Sequence, residues 1–387
     1  MGLPHMRGSS PSPAERFLHR FRRSEKAGTS GRFTFVDALR GVAAMWVAMF
    51  HFYSGVSESS LRPIFVEPFH FLLQHGNAGV EIFFVISGYV IAYSIRQKRV
   101  TPGYFGQFML RRSIRLEPPY WVTIALAIAV LWLSNHLRTD RVATLPHWPQ
   151  ILAHIFYLQG ILHMGQILDV FWTLCLEVQF YVTFLLLVAA SQLLGDRRSS
   201  RLGVLIPLTA VSLAIFAGLL PEPGAWMFKF WYLFQLGVMG YWAVSKQLRD
   251  ADFVAYAAVL VALLCWHPSF TGAMGWFTGV SLYLAGKYDL LKTLDYAPLQ
   301  FLGRLSYSLY LIHPVLGVPF TYYFAHRFFG RTLSGGEALL CMTAATVISL
   351  IAASLLYRFV EGPSMRLSRN LKRQLPVTAK ARVADVV

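Results

Sequence analysis

The stretch Phe33–Tyr53, FTFVDALRGVAAMWVAMFHFY, constrains this chain more than any other. It has the length and apolarity of a membrane-spanning helix, for which about 20 residues suffice. Yet it carries Arg40 near one end and His51 near the other. At about 100° and 1.5 Å per residue, their spacing returns to within roughly 20° of the same face, about 16 Å further along the axis. Ionisable groups inside a span are costly, so they face the protein interior and mark a functional path. One face of this helix therefore joins a membrane edge to a histidine deep inside.

The remainder is equally apolar. Of 387 residues, 55% are hydrophobic and 14% charged, with mean hydropathy +0.48, whereas soluble domains carry about 25% charged residues. An all-α, polytopic integral membrane protein follows. Ten apolar runs are long enough to cross, at roughly 34–54, 78–95, 118–134, 171–193, 202–220, 226–245, 251–267, 271–286, 303–325 and 337–357. Segment 135–170, with His147, His154 and His163, reads as an outer loop holding an interfacial or re-entrant helix. Cys175, Cys265 and Cys341 lie in apolar runs without CxxC spacing, so neither a disulfide framework nor a metal site is expected. Residues 1–32 lack the apolar core of a signal peptide and read as a disordered basic cytoplasmic tail. The transmembrane domain is expected over 33–366, and a basic cytoplasmic tail over 367–387.

Charge fixes the expected orientation. With the N-terminus inside, the cytoplasmic segments hold 28 of the 35 Lys and Arg, the opposite loops hold 6, and Arg40 is the remaining one. This is the positive-inside pattern, with both termini cytoplasmic. It accounts for the net charge of +16 through anionic lipid and a cytoplasmic ligand, and nucleic acid is not an expected partner.

In that topology His51, Asn77, Glu81, Thr173, Glu177 and Gln179 converge on the outer layer of the membrane. A carboxylate beside an imidazole in a low-dielectric site tunes a general base. On the inner side, FMLRRSIRLEPPYW places Arg112 and Arg115 three residues apart before a Pro-Pro pair that opens the third span. Paired guanidiniums there suit a phosphate-bearing ligand. Ser306, Tyr310 and His313 share one stripe of the ninth span, with His313 expected near mid-membrane before a kinking Pro314. Glu361 is expected in an ion-pair knot with Arg358 and Arg366.

Six segments in order, RFTFVDALRGVAAMWVAMFHF, NAGVEIFFVISGYVIAYS, FMLRRSIRLEPPYW, FWTLCLEVQFY, FLGRLSYSLYLIHPVL and FVEGP, resemble the acyltransferase-3 family of membrane O-acyltransferases over about residues 33–366. The family's Arg-x10-His motif falls on Arg40 and His51, and its Arg-x-x-Arg motif on Arg112 and Arg115. Its Trp-Ser-Leu-x-x-Glu motif falls on Trp172, Thr173, Leu174 and Glu177, with threonine for serine. Some relatives carry an esterase-like domain after the last span; this chain runs about 30 residues past Tyr357, and that domain is not expected in it.

The resemblance implies a multi-pass protein of the bacterial inner membrane. It would transfer an acyl group, acetyl foremost, from cytoplasmic acyl-CoA to a glycan hydroxyl, with no permanently bound cofactor. Arg40, Arg112 and Arg115 would hold the phosphates of acyl-CoA. His51 would be general base, with Glu177 and Glu81 orienting or charge-stabilising it. The oxyanion donor stays open among Asn77, Thr173, Tyr310 and a backbone N–H, and His313 is a further substrate candidate. Lipid-linked oligosaccharide, O-antigen, exopolysaccharide and macrolide-like glycoside all fit as acceptor. A proton-coupled carrier or flippase uses the same residue types but predicts inverted repeats, for which the two halves show no convincing similarity. A structural partner in a polysaccharide-export complex would not require all five motif residues.

Overall fold

The computed structural model describes residues 33–56, 58–96, 98–137, 144–323 and 333–374. The expected tail 1–32 and the end of the tail 367–387 lie outside these residues, as do Arg138, Arg141, Arg327 and Arg331 of the charge pattern. All regular structure among the described residues is helical. The principal helices are α1 (Thr34–Gly55), α2 (Gly79–Ser94), α3 (Pro102–Leu137), α4 (Trp172–Leu193), α5 (Arg198–Phe216), α6 (Trp231–Val244), α7 (Asp250–Trp266), α8 (Phe270–Lys287), α9 (Ala297–Ile312), α10 (Gly335–Leu356) and α11 (Gly362–Gln374).

Six stretches are long and apolar enough to cross a bilayer: Thr34–Gly55, Gly76–Ser94, Pro102–His136, Asp169–Leu193, Arg198–Phe216 and Gly335–Leu371. The protein is therefore a multi-pass membrane protein. Helices α6 to α9, at four further expected spans, have 14 to 18 residues and fall short of that length or apolarity.

Apolar side chains on all sides make these helices suited to lipid and to one another. Their common core is aromatic. Phe180 stacks on Phe234 at 4.3 Å and on Phe184 at 5.4 Å, with Trp231 at 5.9 Å, all fully buried. Glycines set the closest crossings, since without a Cβ two backbones can touch. A Cβ on Gly88 would strike the Phe234 carbonyl, and one on Gly237 the Val85 carbonyl, so α2 and α6 meet at backbone contact.

The α1–α9 pair organises the rest. A Cβ on Gly41 would lie 2.6 Å from the Gly303 nitrogen. Ten residues on, His51 meets His313, again 262 positions apart. The helices thus run parallel and in register. Beyond His313 the chain makes a π-helical turn, His313–Gly317, because Pro314 has no N–H to give to the α-helical ladder. There the pairing slips: Gly317 lies on Phe52, and Gly55 on Thr321. Other pairs give α2 antiparallel to α1 (Gly76 on Trp46, Phe33 on Tyr93) and parallel to α6 (Phe84 on Phe230, Tyr93 on Tyr241).

Two sequence expectations are corrected. The Pro118–Pro119 pair does not open a helix: α3 runs continuously from Pro102 with both prolines inside. Proline φ is helix-compatible, so the pair costs only the ladder bonds to the Ile114 and Arg115 carbonyls, and side-chain hydroxyls brace the same turn. The Tyr307 hydroxyl donates to the Leu116 carbonyl at 2.7 Å, and Thr123 donates to that of Pro119 at 2.7 Å. Second, Glu361 does not join Arg358 and Arg366. It is buried and accepts from the Ser308 hydroxyl at 2.5 Å, while Arg358 lies over the Phe359 ring.

Candidate active site

The α1 residues of interest emerge on the face towards α9. Helix α9 begins at Ala297, not near 303, so His313 stands a turn and a half higher than the sequence suggests, level with His51. The His51 Nδ1 and His313 Nε2 atoms are 3.2 Å apart, and the rings 5.1 Å. His313 is fully buried, His51 partly.

Carbonyl acceptors decide the tautomers. His313 Nδ1 lies 3.0 Å from the Leu309 carbonyl, which can only accept, so that nitrogen carries the proton. In the neutral ring Nε2 is then an acceptor, and His51 Nδ1–H donates to it. The Val47 carbonyl, 3.0 Å from His51 Nδ1, accepts from the same N–H. His51 Nε2 is left with its lone pair. That is the state a general base needs.

Near this pair runs a narrow cleft of about 80 Å³ between α1, α2, α3, α4 and α9. Arg40 and Arg112 line one end; Thr173 and Tyr310 line the other. The Arg40 Nε is buried without a hydrogen-bond partner among the described residues. Arg112 lies over the Tyr181 ring at 5.1 Å. Arg115 and Arg40 act electrostatically on each other and on Glu361. Arg112 acts on Arg115 as well, so three guanidiniums lie close together near two carboxylates, Glu361 and Glu177, with no ion pair among them in the described residues. At the far end the Thr173 and Tyr310 hydroxyls are 2.7 Å apart and both reach the Val170 carbonyl, at 2.9 and 3.2 Å. The Tyr310 and His313 rings are 6.0 Å apart.

The remaining expected residues are dispersed. Glu177 sits mid-cleft, where its Oε1 accepts from the Ser87 hydroxyl at 2.6 Å and from the Tyr181 hydroxyl. It does not bond His51. Glu81 is buried against α8, beside Thr271 and Gly275. Asn77 is exposed in the 3-10 turn Gly76–Ala78. Gln179 uses its amide on the loop before α6, bonding Ala225 O and Met227 N at 3.0 Å each.

Sequence reasoning passed over Ser87, Tyr181 and Asp169. Tyr181, one turn from Glu177, carried the clearest spacing signal. Asp169, in the short turn before α4, is the carboxylate whose charge reaches His51. In the connection between α3 and α4, Trp148 is 70% exposed on its eight-residue helix Trp148–Ile155, but Tyr157 is buried, stacked 4.8 Å from Tyr120.

A membrane protein whose described residues are all helical, with an arginine-lined cleft that reaches Tyr310 beside a histidine pair, has the makings of a group-transfer enzyme working within the bilayer. The chain belongs to the acyltransferase-3 family: the profile of its acyltransferase domain matches residues 33–358. It is similar, at 26% identity over 91% of this chain and 87% of the other, to a Komagataeibacter xylinus protein named as a membrane-bound transacylase, BcsY. It is also similar to the acyltransferase MdmB of Streptomyces mycarofaciens, at 26% identity over 78% of this chain and 83% of that one. Similarity to the exopolysaccharide production protein ExoZ of Rhizobium meliloti is 34% identity over 30% of this chain and 34% of the relative. No solved structure matches the chain.

Proposed function

We propose that this protein moves an acyl group, acetyl foremost, from acyl-CoA to a hydroxyl of a cell-surface or lipid-linked glycan. The observation that carries the reading is the cleft running from Arg40 and Arg112 to Thr173 and Tyr310, beside the His51–His313 pair. The phosphates of acyl-CoA lie against Arg40, Arg112 and Arg115, and the uncharged pantetheine arm follows the cleft. About 16 Å of helical rise separates Arg40 from His51, a distance of the order such an arm spans. Glu177, mid-cleft, repels the phosphates and so limits how deep the donor enters.

His51 Nε2 takes the proton of the acceptor hydroxyl as its oxygen attacks the thioester carbonyl. The new C–O bond forms, the C–S bond breaks, and the imidazolium returns its proton to the departing thiolate. His313 holds His51 in the required tautomer. Thr173 or Tyr310 turns its hydroxyl hydrogen towards the developing oxyanion. The relative named for exopolysaccharide production supports a glycan acceptor.

The arginine end faces the cytoplasm of a bacterial inner membrane, in a topology of ten crossings with both termini inside and the folded domain spanning 33–366. The charge asymmetry supports this, as do the helix directions, since odd-numbered α1 and α9 run parallel and α2 runs parallel to α6.

The test is transfer of radiolabelled acetyl from acetyl-CoA by purified protein in liposomes, with glycan acceptor present. The wild type releases CoA and labels the glycan, and His51→Ala, correctly folded, does neither. Full activity in that variant would sink the assignment of His51.

A further inference from the structure

A second cleft, of about 560 Å³, opens among the ends of α2, α4, α5 and α6. It shares no lining residue with the first. Its walls carry Arg96, Lys98, Arg99 and Arg201 against the single carboxylate of Asp196. Asp196 is committed to Arg201 at 2.9 Å, and Lys98 and Arg99 have no ion pair among the described residues.

The positive-inside rule explains basic residues in such a place, but it asks for charge and not for fixed geometry. Here the geometry is fixed. Gln192 on α4 clamps the α2–α3 connection at two points, its Nε2 donating to the Lys98 carbonyl and its Oε1 accepting from the Val100 N–H, both at 2.8 Å. Arg201 is held by Asp196, by Gln247 and by the Trp242 face at 5.2 Å. Arg96 lies 3.7 Å from the Tyr93 ring centroid. The clamp fixes the backbone that carries Lys98 and Arg99, and the Arg96 and Arg201 guanidiniums are themselves held, so part of the ordering cost of binding is met in advance. Their natural ligand is a multivalent oxyanion.

We infer that this cleft is a second anion site, separate from the transfer cleft, which takes a phosphate group. The phosphate comes either from the headgroup of an anionic phospholipid at the membrane surface or from a soluble phosphate ester. The site does not depend on the chemistry proposed above.

The experiment uses the full chain in neutral detergent. Native mass spectrometry reads retention of phosphatidylglycerol against phosphatidylcholine, and calorimetry reads pyrophosphate. The variants are the double substitution Lys98→Gln with Arg99→Gln, on the open rim, and Arg115→Gln as a control for the first cleft. Saturable phosphatidylglycerol binding, weakened about tenfold or more by the double variant and untouched by Arg115→Gln, establishes the site with a lipid source. The same pattern with pyrophosphate alone establishes it with a soluble source. Binding of neither probe, or binding indifferent to the double variant, overturns the inference.

Discussion

His51 and His313, 262 positions apart in sequence, meet at 3.2 Å with the proton between them assigned to His51. The assignment rests on the Leu309 carbonyl, which forces the His313 proton onto Nδ1. If His313 acts only through this bond, its loss should appear in turnover and not in donor binding. His313→Ala is expected to lower kcat on the order of 10- to 100-fold at unchanged KM for acetyl-CoA. His313→Gln, which keeps an acceptor, should recover part of the loss. Steady-state CoA release decides it, and an equal loss in both variants would remove the tautomer role.

The α1–α9 crossing gives a stability prediction. A methyl group at Gly303 would collide with the Asp37 carbonyl, so Gly303→Ala must push the helices apart and separate the two imidazoles. A loss of about 1–3 kcal/mol is expected, together with activity, read by thermal unfolding in detergent. Gly336, with nothing within 4 Å of its added Cβ, is the control, and Gly336→Ala should be silent.

The arginines should separate donor binding from chemistry. Arg115→Gln and Arg112→Gln are each expected to raise the KM for acetyl-CoA about tenfold with little change in kcat, as loss of a charge-assisted phosphate contact does. A fall in kcat at unchanged KM would place these residues elsewhere in the cycle.

The connection between α3 and α4 should respond to acid through His154. Its Nδ1 donates to the Gln150 carbonyl at 2.7 Å, and its Nε2 accepts from the Ile167 N–H at 3.1 Å. Burial holds the imidazole below its ordinary value of 6.5. Because the folded value is the lower one, the contribution to stability is complete above pH 6.5 and is lost as pH falls below it. Protonation of Nε2 also breaks the Ile167 bond. Hydrogen exchange at Ile167, corrected for intrinsic rate, should therefore hold steady above about pH 6.5 and quicken as pH falls below it. Unchanged protection would show that the loop is pinned by other groups.

What the sequence made legible follows from which interactions are local. The shared face of Arg40 and His51 is set by the period of one helix. So are the pairing of Arg112 with Arg115 and the stripe of Ser306, Tyr310 and His313, and all could be read from spacing. The partner of His51 could not, since His313 lies eight helices away and its depth hung on where α9 begins. The Pro118–Pro119 pair misled because the neighbouring helices that bond the loosened turn are invisible in a linear reading. Glu177 was singled out as a buried acid, but only tertiary packing reveals that Ser87 and Tyr181 hold it. Family membership was legible because six segments in fixed order carry it jointly.

The separation of the two histidines also bears on how the protein is made. At roughly 5–20 residues per second, about 13 to 50 s pass between synthesis of His51 and synthesis of His313. For that interval α1 is in the membrane with the face meant for α9 uncovered, Arg40 and His51 included. Nascent chains halted before Ala297 should still crosslink through Gly41 to the insertion machinery, and chains long enough to carry Gly317 out of the ribosome should not. The histidine pair thus dates the moment at which the growing chain can leave its insertase.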